Sequence, residues 1–288
     1  MAKTCVLKLL IFISFFICQH RLFSQVYSNN GGVKDKHFIY EVKEIDEFFE
    51  RFNDDPRSFL RDVYKAHHVN FNIDRQRLIR SLFNYENMTK DSVIIYKFIS
   101  EVTKKKKPIY LDFYGDNWYA ELTCNFKYNS SSSSIVIPII MKIERTENKG
   151  SKWMIVAVGS STLKSKIDVT EMAQSKTKTK FISPTSHGTN FVSLKRAFED
   201  KENLSSYFDT FYFKSSHMLE FYNAILNHEI EFLEVIRIKY HFLVAEKWIF
   251  TVENFPRESL NSGWLINNIQ RVSSFEIENY RNKLLSGN

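Results

Sequence analysis

Glycine, proline and cysteine are scarce in this chain: 8, 5 and 3 of 288 residues. So few turn formers exclude a fold built mainly from loops. Phenylalanine is abundant instead, at 26 residues, which excludes a disordered chain. The sequence has no Gly-rich phosphate loop, no GxSxG elbow and no HExxH helix. The common sequence signatures of nucleotide binding, serine hydrolysis and zinc proteolysis are therefore missing.

The apolar run Leu9–Cys18 follows Lys3 and Lys8. It is too short for a permanent transmembrane helix, which needs roughly 20 residues. A basic start, a run of that length and Ser24 before Gln25 form the pattern of a cleavable signal over 1–24. An uncleaved anchor is the other reading. Cleavage removes Cys5 and Cys18 and leaves Cys124 alone, so no intramolecular disulfide can form. Cys124 lies in an alternating segment and reads as a small buried hydrophobe rather than a nucleophile. Lys3, Lys8 and Arg21 leave with the signal and no acid goes with them, so the charge falls from +7 to 7 − 3 = +4. That surplus does not indicate nucleic acid. The expectation is an exported protein, periplasmic or extracellular, with no integral membrane segment after cleavage.

Residues 25–36 read as a flexible polar leader. Helical spacing then begins: Ile45, Phe48, Phe49 and Phe52 stand at i, i+3, i+4 and i+7. Further apolar stripes are Phe59, Leu60, Val63 and Tyr64; Leu78, Ile79, Leu82 and Phe83; and Ile94, Ile95, Phe98, Ile99 and Val102. The run Lys104–Lys107 with Pro108 stops the last helix. The period then changes to two, and four antiparallel strands are expected: Ile109–Tyr114, Tyr119–Phe126, Ile135–Ile143 and Trp153–Val158. Residues 37–163 thus form a first α+β domain and 164–190 a linker. A second α+β domain, 191–288, repeats the order. Its helices include Met218, Leu219, Tyr222, Ile225 and Leu226; its strands cover Glu229–Leu243, Trp248–Phe255 and Trp264–Ile269; a helix ends the chain.

The halves share short matches. Gly150-Ser-Lys-Trp153 resembles Asn261-Ser-Gly-Trp264, and Tyr119–Phe126 resembles Trp248–Phe255. An internal duplication and chance sharing of strand pattern both account for them. Helices followed by an antiparallel sheet that closes on a Gly-x-Trp-x-Ile strand resemble the nuclear transport factor 2-like superfamily, with its SnoaL-like and ketosteroid-isomerase-like folds. Residues Gly115–Val158 and Glu229–Ile269 carry the resemblance. It implies curved sheets wrapped on helices, hence two cone-like units with apolar pockets, serving either as enzymes or as non-catalytic binding modules. The isomerase-like members use a pocket Asp with a Tyr; Asp112 and Tyr110 do not obviously reproduce that pair.

No residue set suggests a reaction, a cofactor or a metal. His228-Glu229 lacks a second histidine at zinc spacing, and the neighbouring His67 and His68 diverge on a helix. Ser183, Ser186 and His187 share a loop that reads as a helix cap rather than a nucleophile pair. Arg237, Lys239 and His241 make a cationic strand face, either solvated or suited to an acidic protein surface. Trp118 and Tyr119 read as packing, or as the rim of a site for a small apolar ligand. The leading expectation is a non-enzymatic binding or accessory protein. The alternatives are an acid–base enzyme with an apolar cone pocket, and an oligomeric surface module.

Overall fold

The computed structural model describes residues 41–58, 61–62, 74–88, 92–146, 150–159, 163, 180–213, 215–257 and 261–287. The expected signal and leader, the Phe59–Tyr64 stripe, His67, His68 and most of the linker lie outside them. The helix α1 (Ile45–Asn53) buries Ile45, Phe48, Phe49 and Phe52, the four residues of its stripe. Asp54 closes it in the left-handed conformation, its N–H bonded to the Arg51 and Glu50 carbonyls. Asp74 caps α2 (Arg75–Ser81) by accepting from the Arg77 N–H at 2.8 Å. After α3 (Tyr85–Met88), α4 (Ser92–Val102) buries Ile95, Phe98, Ile99 and Val102.

The segment expected as a first strand, Ile109–Tyr114, is not one. Its side chains do alternate, Ile109, Leu111 and Phe113 half-buried and Tyr110, Asp112 and Tyr114 exposed. But Leu111 finds its partner in a side chain: Asn53 Nδ2 donates to the Leu111 carbonyl at 2.7 Å, and Leu111 N donates to Asn53 Oδ1 at 2.8 Å. One amide at the end of α1 thus imitates one rung of a ladder. Arg75 fixes the same region. Its guanidinium donates to the carbonyls of Phe52 (2.8 Å), Val102 (3.1 Å) and Ile109, and stacks on Tyr110 at 4.3 Å. It satisfies the Phe52 carbonyl at the end of α1 and is a second donor to the Val102 carbonyl of α4, which also accepts from Ile109 N at 2.9 Å.

Among the described residues seven strands form one mixed sheet. They are β1 (Glu41–Val42), β2 (Trp118–Tyr128), β3 (Ser134–Arg145), β4 (Ser151–Val158), β5 (Ile230–Val244), β6 (Trp248–Phe255) and β7 (Ser262–Arg271). Their order is β1-β7-β6-β5-β2-β3-β4. Two three-stranded meanders therefore lie back to back, joined by the antiparallel β2–β5 pair, with Ala120 opposite Tyr240 and Leu122 opposite Ile238. The fold is α+β as expected, but the sheet is one, not two. Gly150–Trp153 and Ser262–Trp264 open strands at equivalent positions of the two meanders. The other matched pair, in β2 and β6, does not occupy equivalent positions. β1 alone runs parallel to its neighbour, β7. Gly263, with φ +84°, permits this close approach: a Cβ there would stand 2.0 Å from the Val42 carbonyl oxygen.

Helices α5 (Ser193–Glu199) and α6 (Ser216–Leu226) precede the second meander. The two helical sets are largely exchanged over the sheet. Phe98 of α4 meets Trp248 of β6 at 5.3 Å, and Phe52 of α1 stacks on Phe250 at 6.2 Å. In return Phe221 of α6 meets Phe126 of β2 at 5.5 Å, and Phe191 meets Trp153 of β4 at 5.2 Å. A single apolar cluster spans both halves. On the opposite sheet face α7 (Ser274–Ser286) covers Tyr119, Ile140, Val156, Ala157, Leu243 and Ile249 with Ile277. A capping box between Ser273 and Glu276 starts it. Among the described residues no helix is long and apolar enough to cross a membrane.

Arg75→Met removes the donor to the Phe52 and Ile109 carbonyls and one of the two donors to Val102. It is expected to lower stability by about 2–4 kcal/mol, seen as a lower urea midpoint at unchanged m-value. A change of about 0.5 kcal/mol or less contradicts this role.

Candidate functional site

The five residues singled out in the sequence fall in three places. Trp118 is core: 2 % exposed, it stacks parallel to Phe242 at 5.6 Å and donates Nε1–H to the Phe113 carbonyl at 2.9 Å. Tyr119 points to the other face and is buried beneath α7. Burial pushes its phenol up to about 12, against the nearby Arg281. Arg237, Lys239 and His241 do line one strand face. Their acidic partners are internal: Arg237 pairs with Glu253 of β6, and Lys239 stands 3.9 Å from Glu121 of β2.

His241 is the centre of a buried relay rather than a surface cation. Its Nε2 lies 2.8 Å from Glu121 Oε2 and its Nδ1 2.6 Å from the Tyr280 hydroxyl of α7. A carboxylate only accepts, so Nε2 carries the proton, and in the neutral ring Nδ1 accepts from Tyr280. The hydrogen bond from His241 holds the Glu121 carboxyl below the usual range, against the opposing effect of burial. Burial, reinforced by the Glu121 charge, pushes Tyr280 up to about 12. The arrangement pins α7 to the sheet.

The second polar cluster was not legible in the sequence. Glu44, Asp46 and His187 place one ligand atom each within 4.8 Å of one another. Glu44 is the N-cap residue of α1 but makes no side-chain cap hydrogen bond, and Asp46 lies in the first turn. His187 comes from the 3₁₀ turn Pro184–Thr189, which Ser183 caps by accepting from Thr185 N at 3.3 Å. The loop containing Ser183, Ser186 and His187 is expected to cap the helix that follows it, but α5 has Val192 at its N-cap with no side-chain hydrogen bond; Ser183 caps only its own turn. Asn190 (φ 48°) and Phe191 (φ 55°) reverse the chain after it. A phenylalanine in that conformation is strained, and its fully buried ring against Trp153 holds it there.

His187 is 5 % exposed. Its Nδ1 lies 2.8 Å from the Pro184 carbonyl, which also accepts Trp153 Nε1–H at 3.0 Å, and its Nε2 lies 3.0 Å from Asp46 Oδ1. Burial opposes a charge on the ring. The hydrogen bond and charge of Asp46, the Pro184 carbonyl and the Glu44 charge outweigh it and raise its pKa above the ordinary histidine value. Gly188 lets Glu44 in: a Cβ there would stand 3.1 Å from Glu44 Oε2. Tyr240 is fully buried, and its hydroxyl has no hydrogen-bond partner among the described residues. Burial raises its pKa, and the charges of Asp46 and Glu44 raise it further, so the hydroxyl sits within their electrostatic reach.

The remaining candidates are structural. Cys124 is buried and free, its thiol pushed up by desolvation, as befits an inert hydrophobe. Asp112 is exposed and pairs with Arg145 at 2.8 Å, while Tyr110 stacks on Arg75. His228 holds a left-handed turn position and its carbonyl accepts from Asn129.

Tyr280→Phe leaves a buried imidazole nitrogen unpartnered and is expected to cost about 1–3 kcal/mol. Because the Glu121 pKa is depressed in the folded state, its contribution is present above the ordinary glutamate value of about 4.3 and is lost as pH falls below it. Glu121→Gln should therefore flatten the acid limb of a stability–pH curve; an unchanged limb contradicts the relay.

No family model, no curated protein and no solved structure matches the chain, so its relationship to the nuclear transport factor 2-like superfamily stays a resemblance of sequence pattern.

Proposed function

We propose that this chain is an exported, non-enzymatic binding or accessory protein that recognises its ligand at the surface. Export rests on the signal pattern of residues 1–24. The observation that carries the binding reading is the aromatic filling between helices and sheet. Phe242 and Phe250 stack at 4.7 Å, Phe48 lies 5.6 Å from Phe242, and Trp118 and Trp153 meet edge to face at 5.1 Å. Among the described residues, rings at these distances fill the space between these helices and the sheet, where an isomerase-like cone would hold its substrate.

Apolar contact is offered outside instead. Two bulges in β5 shift its register against β2, between Thr123 and Cys124 and between Asn125 and Phe126. The residues skipped by the ladder, Ile236 and Leu233, turn outward at 54 % and 44 % exposure. Ile236 lines an open cleft of about 220 Å³ with Val235 and Trp264. Arg237, Glu253 and Asn254 line it too, so the cleft suits a small ligand with one apolar face and a polar end. An acidic protein surface is a poorer fit, because Glu121 and Glu253 already occupy the cationic stripe.

Titration with an apolar fluorescent probe tests the reading. Weak saturable binding that Ile236→Lys abolishes is expected. Saturable binding that survives Ile236→Lys contradicts it and points to an interior pocket.

A further inference from the structure

We propose that Glu44, Asp46 and His187 bind one divalent first-row transition-metal ion, with the Tyr240 hydroxyl serving a water on that ion. The inference is independent of the cleft at β5. The sequence has no metal spacing; the fold makes the set by bringing the 3₁₀ turn against the start of α1.

Four observations bear on this cluster. First, the donors are the right type: one imidazole nitrogen and two carboxylates favour borderline divalent ions such as Zn²⁺, Co²⁺ or Mn²⁺ over Ca²⁺ or Mg²⁺. Second, the spacing of one donor pair fits and the third donor is near. Two donor atoms each about 2.1 Å from a shared ion lie about 3.0–3.4 Å apart at the usual angles. His187 Nε2 and Asp46 Oδ1 are 3.0 Å apart, and the Glu44 carboxylate is within 4.8 Å of both. Third, the ring is oriented as a ligand. The Pro184 carbonyl can only accept, so His187 Nδ1 carries hydrogen, and Nε2, which donates to Asp46 in the charged ring, presents a lone pair to an ion once that proton leaves. Trp153 holds that carbonyl through a 3.0 Å hydrogen bond, and the Phe113 ring edges His187 at 5.4 Å.

The fourth observation is Tyr240. A fully buried hydroxyl with no partner among the described residues is costly, about 1–3 kcal/mol, and calls for a partner. An ion pair between His187 and Asp46 alone accounts for two of the residues. It leaves Glu44 uncommitted as a cap and Tyr240 without a partner. A hydrated ion accounts for all four: carboxylates and imidazole on the metal, and the hydroxyl bonded to its water. Gly188 belongs to the same set, since any Cβ there crowds the Glu44 oxygen.

The test uses purified full-length protein stripped with a chelator, then titrated with Zn²⁺ or Co²⁺ by calorimetry and visible spectroscopy. One ion per chain is expected, with a Co²⁺ d–d spectrum carrying a nitrogen ligand, and tighter binding than Mg²⁺ or Ca²⁺. Asp46→Asn and Glu44→Gln are exposed, isosteric changes that preserve the fold; each should weaken binding at least about tenfold. Tyr240→Phe should weaken it by a similar factor while circular dichroism is unchanged. No stoichiometric ion, or an affinity indifferent to Asp46→Asn and Glu44→Gln, overturns the proposal.

Discussion

Each meander has an apolar face that the helices before it in the chain largely leave to the other set. Phe48, Phe52 and Phe98 stand in the first half, yet their ring partners Phe242, Phe250 and Trp248 belong to β5 and β6. Phe221 stands in the second half and meets Phe126 of β2. The β2–β5 ladder joins the two meanders into one surface, and the exchanged helices bury it. Aromatic pairs at these geometries add about 0.5–1.5 kcal/mol each beyond their buried area. Some pairs stay within a half, as Phe49 with Trp118 and Phe198 with Phe232, but one apolar cluster spans both.

That interlock also positions the polar groups. Glu44 and Asp46 begin the helix that lies over the second meander, and His187 enters from the segment that bridges to β4 through Ile182 and Trp153. The crossing of the two helical sets is what brings a carboxylate pair and an imidazole together. On the reverse face, α7 closes the sheet through Tyr280, His241 and Glu121. Charges that look free along β5 are thereby committed within the sheet.

The local structure was legible where periodicity was strong. Ile45–Phe52 and Ile95–Val102 read as helices, and the strands from Trp118 onward read as strands, because each apolar face repeats at its element's period. Ile109–Phe113 misled because burial alternates there without a neighbouring strand; Asn53 provides the hydrogen bonds instead. Ile236 broke its own alternation because a bulge rotates it outward. The cationic face of Arg237, Lys239 and His241 was correct in orientation, but cross-strand acids cannot be read without the register. The Glu44–Asp46–His187 cluster left no local signal, since its members come from distant segments and His187 reads alone as a loop residue.

Native-state hydrogen exchange tests the interlock most directly. Amides of β3 and β6, one from each meander, should open only by global unfolding and report the same free energy, falling together as urea rises. Two distinct opening energies, with one meander exchanging while the other stays protected, would show that each half folds on its own helices and would contradict the account.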